Sequence, residues 1–542
     1  MRFLWLDINS SYSHSSLAIP SLDAQLDSSI RERAIWKVVS GTLSANPSKI
    51  ILQVINEKPD VIFSTVWLFN SLFILSILKQ IKVLLPNVKI ILGGPEFLGD
   101  NKIFLSENKG IYAVFRGDGE IIYPKLVLNL INESSICNLE GVCIISEGRY
   151  YDNGKAVIPD ISVLKIPEHS EFFCLDKPFV QVETSRGCFN SCKFCVSGCD
   201  EKVSYINYRT LKQRLQIHAN KGIKEIRILD RTFNAKSSHA INLLKIMKEF
   251  HGHLKFHIEF HPALISESLK KELESIPPNL LHIEVGIQSL DDNVIKTAGR
   301  KGMPQNSIEG LSYLKNLSTL EIHADLIAGL PGYTLSKLYE DYSTLVKFGV
   351  DEIQVETLKL LPGTNFRENS LIYKLKYSPI PPYEILENES ITYDELQRAV
   401  YLSRISDLWY NDSRWRSVFS LLIIKERKFL SEFLEFVSNI NLQNISPEKC
   451  GIILFDFCSI YFPSYNFHIS NSWILSGYSL TKKPGKIARK WEKGFSGLPF
   501  PFNNYDFTQF SYYYIDSPCR IYWYSFDKFS KTLINYTSLS KM

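Results

Sequence analysis

The sequence predicts an α/β chain in three parts: a doubly wound parallel sheet, an open or partial barrel of six β-α units, and a mostly helical region ending in an aromatic-rich α+β cap. Three observations predict it. Short apolar runs alternate with helical spacing through residues 1–375, the pattern of parallel strands covered by helices. Two early runs enter glycine-rich turns, Gly93-Gly94-Pro95-Glu96 and Gly117-Asp118-Gly119-Glu120. Three cysteines, Cys188, Cys192 and Cys195, follow another apolar run at C-x3-C-x2-C spacing.

Length and composition bound the reading. The 542 residues leave room for about three domains. An apolar share of 45 % is that of a globular protein with a core. A net charge of +4 gives no footing for nucleic-acid binding by bulk electrostatics. The ten cysteines form no regular disulfide framework, which points to a reducing, cytoplasmic setting with a metal site. The N-terminus reads as a first strand, not a signal peptide. Residues 61–78 carry no charge, but polar Asn70 and Ser71 interrupt them, so they read as strand, turn and helix rather than a membrane span. The expected domains are 1–135, a connector 136–170, 171–375 and 376–542.

In the first domain, strands are expected at 2–8, 61–66, 89–92 and 112–115, with a helix ending at 51–58 and another over 70–85. Parallel sheets of this kind bind ligands at loops on the carboxyl ends of their strands. Glycine in those loops lets the backbone approach a ligand closely. Each turn alone reads equally as a plain tight turn. The connector carries short strands near 140–146 and 148–152.

The cysteine triplet suits one face of an iron–sulfur cube, for which thiolates are the preferred ligands. A triplet leaves one iron open to bind a small molecule. A structural zinc site would need a fourth ligand, usually from a second pair, and no such pair occurs. Cys199 stands either as a fourth ligand or as a free thiol near the site.

Six strands follow, at 179–183, 225–229, 255–259, 281–286, 321–327 and 352–358. Helical patterns lie between them at 211–221, 239–250, 268–275, 305–315 and 335–348. The strand ends are rich in polar groups: Asp230 and Asn234, Glu259 and His261, Glu284 and Gln288, Asp325 with Gly329 and Gly332, and Gly363-Thr364. Active residues of such barrels sit at strand carboxyl ends. Beyond 376, long helices are expected at 392–410 and 418–439. Dense aromatics then run from Phe502 through Tyr505 to Phe526. They read as the core of a small β-containing cap or as a substrate-facing wall. Cys450, Cys458 and Cys519 stand as buried thiols or a second cluster.

With Phe194 as its aromatic, the triplet resembles the radical S-adenosylmethionine (SAM) signature. The two glycine turns before it resemble the Rossmann-like cobalamin-binding (B12) domain fused to many such enzymes. Strings such as Glu284-Val-Gly-Ile-Gln288-Ser and Asp325-Leu-Ile-Ala-Gly329-Leu-Pro-Gly332 resemble the subgroup with a C-terminal domain of unknown function of the DUF4080 type. The axial-histidine motif Asp-x-His-x-x-Gly of other cobalamin proteins is absent; His14 has the wrong neighbours and stands as a pocket wall or structural residue.

The resemblance implies a partial TIM barrel of (β/α)6 form and three cofactors: a 4Fe-4S cluster on Cys188, Cys192 and Cys195, SAM, and cobalamin. It assigns Asp230, Asn234, Glu259, Gln288, Arg300 and Gly329 to SAM. It assigns Ser64, Trp67, Gly93, Gly94, Glu96, Gly117, Gly119 and Glu120 to cobalamin, with Trp67 either at the corrin or in the core. The implied activity is reductive cleavage of SAM to a 5′-deoxyadenosyl radical and functionalisation of an unactivated carbon, by methyl transfer from methylcobalamin. The alternatives are a radical cyclase or rearrangement enzyme with the same cofactors and a non-catalytic cobalamin- or redox-sensing protein. Expected partners are a small-molecule or peptide substrate and a flavodoxin- or ferredoxin-type electron donor, with no nucleic acid and no membrane.

Overall fold

The computed structural model describes residues 1–14, 16–197, 202–492, 500–502 and 506–541. Cys199 and Tyr505 lie outside them. The chain forms two compact units, one of residues 1–334 with 357–396, the other of 335–356 with 397–542.

The first unit opens with a seven-stranded sheet. Its spatial order is Ile35–Thr42, Arg2–Asn9, Val61–Thr65, Lys89–Gly93, Ala113–Phe115, Val142–Ser146, Arg149–Asp152. The first five pair in parallel and the last two are antiparallel. The stretch read as a connector thus extends this sheet. Strand Ile35–Thr42 was not legible in the sequence: it is an edge strand of mixed exposure, so its alternation is weak. The central strands bury both faces. Leu4, Leu6 and Ile62 pack on one side, and Phe3, Trp5 and Phe63 on the other. That two-sided burial explains their near-continuous apolar runs.

The uncharged stretch resolves as expected. Strand Val61–Thr65 ends in a turn, and Asn70 caps that turn by accepting from Trp67 N at 2.8 Å. Helix Ser71–Leu84 then buries Ile74, Ile77, Leu78 and Ile81, one helical face. Among the described residues no helix is long and apolar enough to cross a membrane.

Five parallel strands of the barrel follow in the same unit. In order they are Phe179–Val182, Glu225–Ile228, Lys255–Phe260, Leu281–Gln288 and Glu321–Ala328. A sixth strand, Glu352–Thr357, comes next in the chain after helix Leu335–Phe348. Alternation decides the two faces. Phe256, Ile258, Ile283, Val285, Ile322 and Ala324 are fully buried, while His257, Glu259, His282, Glu284, His323 and Asp325 occupy the opposite face. That polar face carries Glu259 to the cavity described below.

The chain is helical from Tyr393 to Ile405 and continues as a π-helical stretch, Ser406–Tyr410, which belongs to the second unit. The helix expected over 418–439 is two, Ser413–Lys425 and Phe429–Val437, parted at Glu426–Lys428. A four-stranded antiparallel sheet closes the chain: Arg489–Trp491, Phe510–Asp516, Arg520–Asp527 and Leu533–Ser540. Its aromatics form their own core around Trp523, with Trp491, Tyr512, Tyr514 and Phe500 packed together. Cys450 and Cys458 are fully buried on helix Pro447–Tyr461, and burial pushes both thiols up to about 12. Cys519 is exposed.

Helix Pro304–Lys315 packs backbone to backbone in the barrel. A Cβ on Gly310 would stand 1.9 Å from the Pro262 carbonyl oxygen. Gly310→Ala is expected to destabilise the fold by about 2–3 kcal/mol, because the backbone cannot yield as a side chain can. Denaturant unfolding of the full chain checks it; a loss under about 0.5 kcal/mol would contradict this packing.

Candidate functional site

The strand order of the first sheet reverses direction between Arg2–Asn9 and Val61–Thr65. Open parallel sheets leave a crevice at such a switch point. A cavity of about 800 Å³ lies there, toward the upper end for small-molecule sites. Asn9 and Ser10 after one strand and Thr65 and Trp67 after the other line it. Its far wall comes from the barrel: Glu183, Arg186, Gly187, Val196, Ser197 and Glu259.

Of the residues assigned to cobalamin, Ser64, Trp67, Gly93, Gly94, Gly117, Gly119 and Glu120 line this cavity. Trp67 is 40 % exposed and stacks on Phe69 at 6.3 Å, so it is not a core tryptophan. Ser64 is buried and donates to Leu6 O at 2.7 Å. Gly94 requires glycine: its φ is +110° and a Cβ would meet Val66 O at 2.5 Å. Glu96 is turned away from the cavity. The Tyr383 hydroxyl donates to its carboxylate, and burial raises its pKa. His14 is a cavity wall, its ring edge-on to Phe179 and its Nδ1 2.9 Å from the Ser11 hydroxyl.

The cysteine loop is clamped on both sides. At its entry, Asp230 is fully buried and accepts from Thr184 N and Ser185 N, each at 2.7 Å, and from the Thr184 hydroxyl. Burial pushes this carboxyl up to about 6, and those donors oppose the shift. Within the loop, Asn190 Oδ1 accepts from Lys301 N at 2.7 Å, and Lys193 N donates to Ala298 O at 2.9 Å. Cys188 and Cys192 are buried, and Cys195 is half-buried.

Burial pushes the Cys192 thiol up to about 11, with Arg300 beside it working against that and Cys195 adding to it. Cys188 is also raised by burial and, in part, by Cys195. Three cysteines on one clamped loop, two of them buried, supply the thiolate donor set that an iron–sulfur cluster requires.

The residues assigned to SAM divide. Glu259 lines the cavity, and burial, with Glu284, Asp325 and Asp230 adding, pushes its carboxyl up to about 7 against the pull of Arg231. Gln288 sits at a bulge with φ +69°, and its Oε1 is buried without a hydrogen-bond partner among the described residues. An orphaned acceptor at a strand end fits a ligand that donates a hydrogen bond. Arg300 donates to Gly286 O at 2.6 Å beside Cys192.

Of the six, only Glu259 lines the cavity, and three of the others are committed elsewhere. Asp230 is consumed in the loop clamp. Asn234 spends its amide on His261 O, His261 N and Leu264 O. At Gly329 the space of a Cβ is filled by Ile385 at 2.6 Å, and its carbonyl accepts from Asn388 at 2.8 Å. Sequence reasoning also missed residues that line the cavity: Arg186, Asp118, Arg231 and Phe69. Arg186 stands two positions before Cys188, which could have flagged it.

Asp230→Asn replaces an acceptor facing three donors with a group that is half donor. It is expected to loosen the loop and lower iron and acid-labile sulfide per chain several-fold. Iron and sulfide assays after anaerobic reconstitution check it.

Three family models match the chain: the B12 binding domain over residues 11–127, the radical SAM superfamily over 182–345, and the protein of unknown function DUF4080 over 372–493. Among curated proteins, the uncharacterized methyltransferase PH0819 of Pyrococcus horikoshii is 26 % identical over 408 residues, covering 70 % of this chain and 86 % of that protein. Among solved structures, the cobalamin-dependent SAM radical enzyme OxsB, with aqua-cobalamin and SAM bound, shares the fold at a TM-score of 0.60 and 14 % identity, covering 88 % of this chain and 79 % of that one. The radical SAM methyltransferase TsrM of Kitasatospora setae does so at 0.56 and 16 %, covering 72 % and 81 %. The cofactors of these domains are a 4Fe-4S cluster, SAM and cobalamin. The chain thus carries a B12 binding domain, a radical SAM domain and a DUF4080 domain, in that order.

Proposed function

We propose that this protein is a cobalamin-dependent radical SAM enzyme that methylates an unactivated carbon of a small molecule or peptide. One observation carries the reading: a single cavity is lined on one side by the switch-point loops of the B12 binding domain and on the other by Gly187, Val196 and Ser197, which flank the cysteines, and by strand-end Glu259. Two cofactor sites that open into one space can act on one substrate. The methyltransferase names of PH0819 and TsrM support the choice of methyl transfer.

When bound, the cluster supplies an electron for reductive SAM cleavage and cobalamin supplies a transferable methyl group. The chain's own residues bind, orient and exclude water. Cys188, Cys192 and Cys195 are the residues that would hold the cluster. Arg300 sets a positive charge beside Cys192 and offers a fork for a carboxylate. Gln288 Oε1, buried without a partner among the described residues, would accept a hydrogen bond from bound SAM. Trp67 and Phe69 present a flat apolar pair where a macrocycle can lie. Ser64, Gly93 and Gly94 shape the switch-point loop around it. An electron donor of flavodoxin or ferredoxin type completes the turnover.

Reconstituted protein with dithionite is expected to release 5′-deoxyadenosine from SAM, and Cys192→Ala to release none. Continued release in that variant would overturn the cluster assignment. A product heavier by one methylene supports methyl transfer; a product of unchanged mass supports a radical rearrangement instead.

Glu259 yields a pH test. Its folded pKa near 7 lies above the ordinary carboxylate range, so it is protonated below that pH and charged above it. The raised value means its contribution to stability falls as pH rises from about 4.5 to 7. Binding of SAM, a sulfonium cation, is expected to tighten about threefold to tenfold between pH 6 and 8, and Glu259→Gln to flatten that rise. Equilibrium binding of SAM, with uncharged S-adenosylhomocysteine as control, checks it.

A further inference from the structure

The Gly117-Asp118-Gly119-Glu120 turn reads in sequence as part of the cobalamin site. Its two carboxylates are committed elsewhere. Arg186 Nη2 donates to Glu120 Oε1 at 2.8 Å, and Arg186 Nη1 stands 3.5 Å from Asp118 Oδ1. The same guanidinium grips Glu183 with two further bonds, from Nε at 2.8 Å and from Nη2 at 2.7 Å. The whole group is largely shielded from solvent, with 22 % of the Arg186 side chain and 10 % of Glu120 exposed.

Both ends of this interlock are rigid. On the B12-domain side, Gly117 has φ +101° and a Cβ there would meet Ala156 O at 2.2 Å. Asp118 N donates to the same carbonyl at 2.9 Å, and Asp118 Oδ2 accepts from Ile158 N at 3.1 Å. On the barrel side, Ser185–Arg186 pairs with Ser204–Tyr205, and Asp230 holds Ser185 N. Arg186 is two residues from Cys188.

We propose that Arg186 is a positioning residue whose contacts with Asp118, Glu120 and Glu183 set the spacing between the cobalamin side of the cavity and the cysteine loop. The inference rests on the proposed function for what occupies the two sides. The physical case is one of geometry and charge. Three carboxylates surround one cation, so without the cation three like charges would face one another across the cavity wall and push the turn and the strand apart. A planar guanidinium holds carboxylates on different elements in one fixed geometry; a lysine supplies the charge but not that rigid fork. Gly117 then serves the close packing on Ala156.

Hydrogen–deuterium exchange on the cofactor-free full-length chain tests the interlock directly. Arg186→Lys and Glu120→Gln are each expected to raise amide exchange about tenfold in both segments, 116–122 and 184–187, with the thermal midpoint little changed. Exchange that rises only in the segment carrying the substitution overturns the proposal.

Titration with hydroxocobalamin adds the functional arm. If Glu120 acts through Arg186, the double variant weakens binding no more than the worse single variant. Losses that multiply would make Glu120 a direct cobalamin contact and overturn it. If the unaltered chain does not bind hydroxocobalamin, the proposed function fails, while coupled exchange in the two segments still upholds the interlock.

Discussion

The site depends on one buried carboxylate. Asp230, at the end of the second barrel strand, holds the backbone of Thr184 and Ser185 at the end of the first. A carboxylate so buried is costly unless its acceptors are filled, and here three donors fill them. The clamp fixes where the chain leaves the first strand. From that point Arg186 is aimed at the glycine-rich turn of the first sheet, and Cys188 begins the loop that carries the thiols. A shift at Asp230 would therefore move the cysteine loop and the cavity wall together.

The barrel adds a second constraint. Its strands turn apolar residues to one side and a lattice of histidines and carboxylates to the other. His257 Nε2 lies 2.9 Å from Glu284, and His323 Nε2 lies 3.2 Å from Asp325. Such a face would be unstable as an ordinary packed core. It is tenable because the charges pair with one another and because the face opens, at Glu259, on a polar cavity. The cost of keeping these groups out of water is offset by their mutual attraction and by a ligand site that needs them.

Much of this was legible beforehand. Each of the six barrel strands, and each of the five helices between them, lies within a few residues of where alternation and helical spacing put it. The partner choices were less legible. Asp230, Asn234 and Gly329 stand at strand ends, as expected, yet they spend their groups on Thr184, His261 and Asn388. Glu96 lies in the right turn, yet it meets Tyr383, 287 residues away. Type and position are local properties; hydrogen-bond partners at long separation are not.

By itself the sequence determined the alternation of strands and helices, the parallel sheets and the glycine-rich and polar loops at their strand ends, because periodicity and glycine turns act over a few residues. Only the tertiary structure decided which strand-end groups face the cavity. Strand pairing fixes where each side chain points, and packing between distant segments decides which polar group is already satisfied. That is how Arg186, ordinary in sequence, comes to link the two sides of the cavity. It is also how the dense aromatics of the C-terminal sheet resolve into a self-contained core around Trp523.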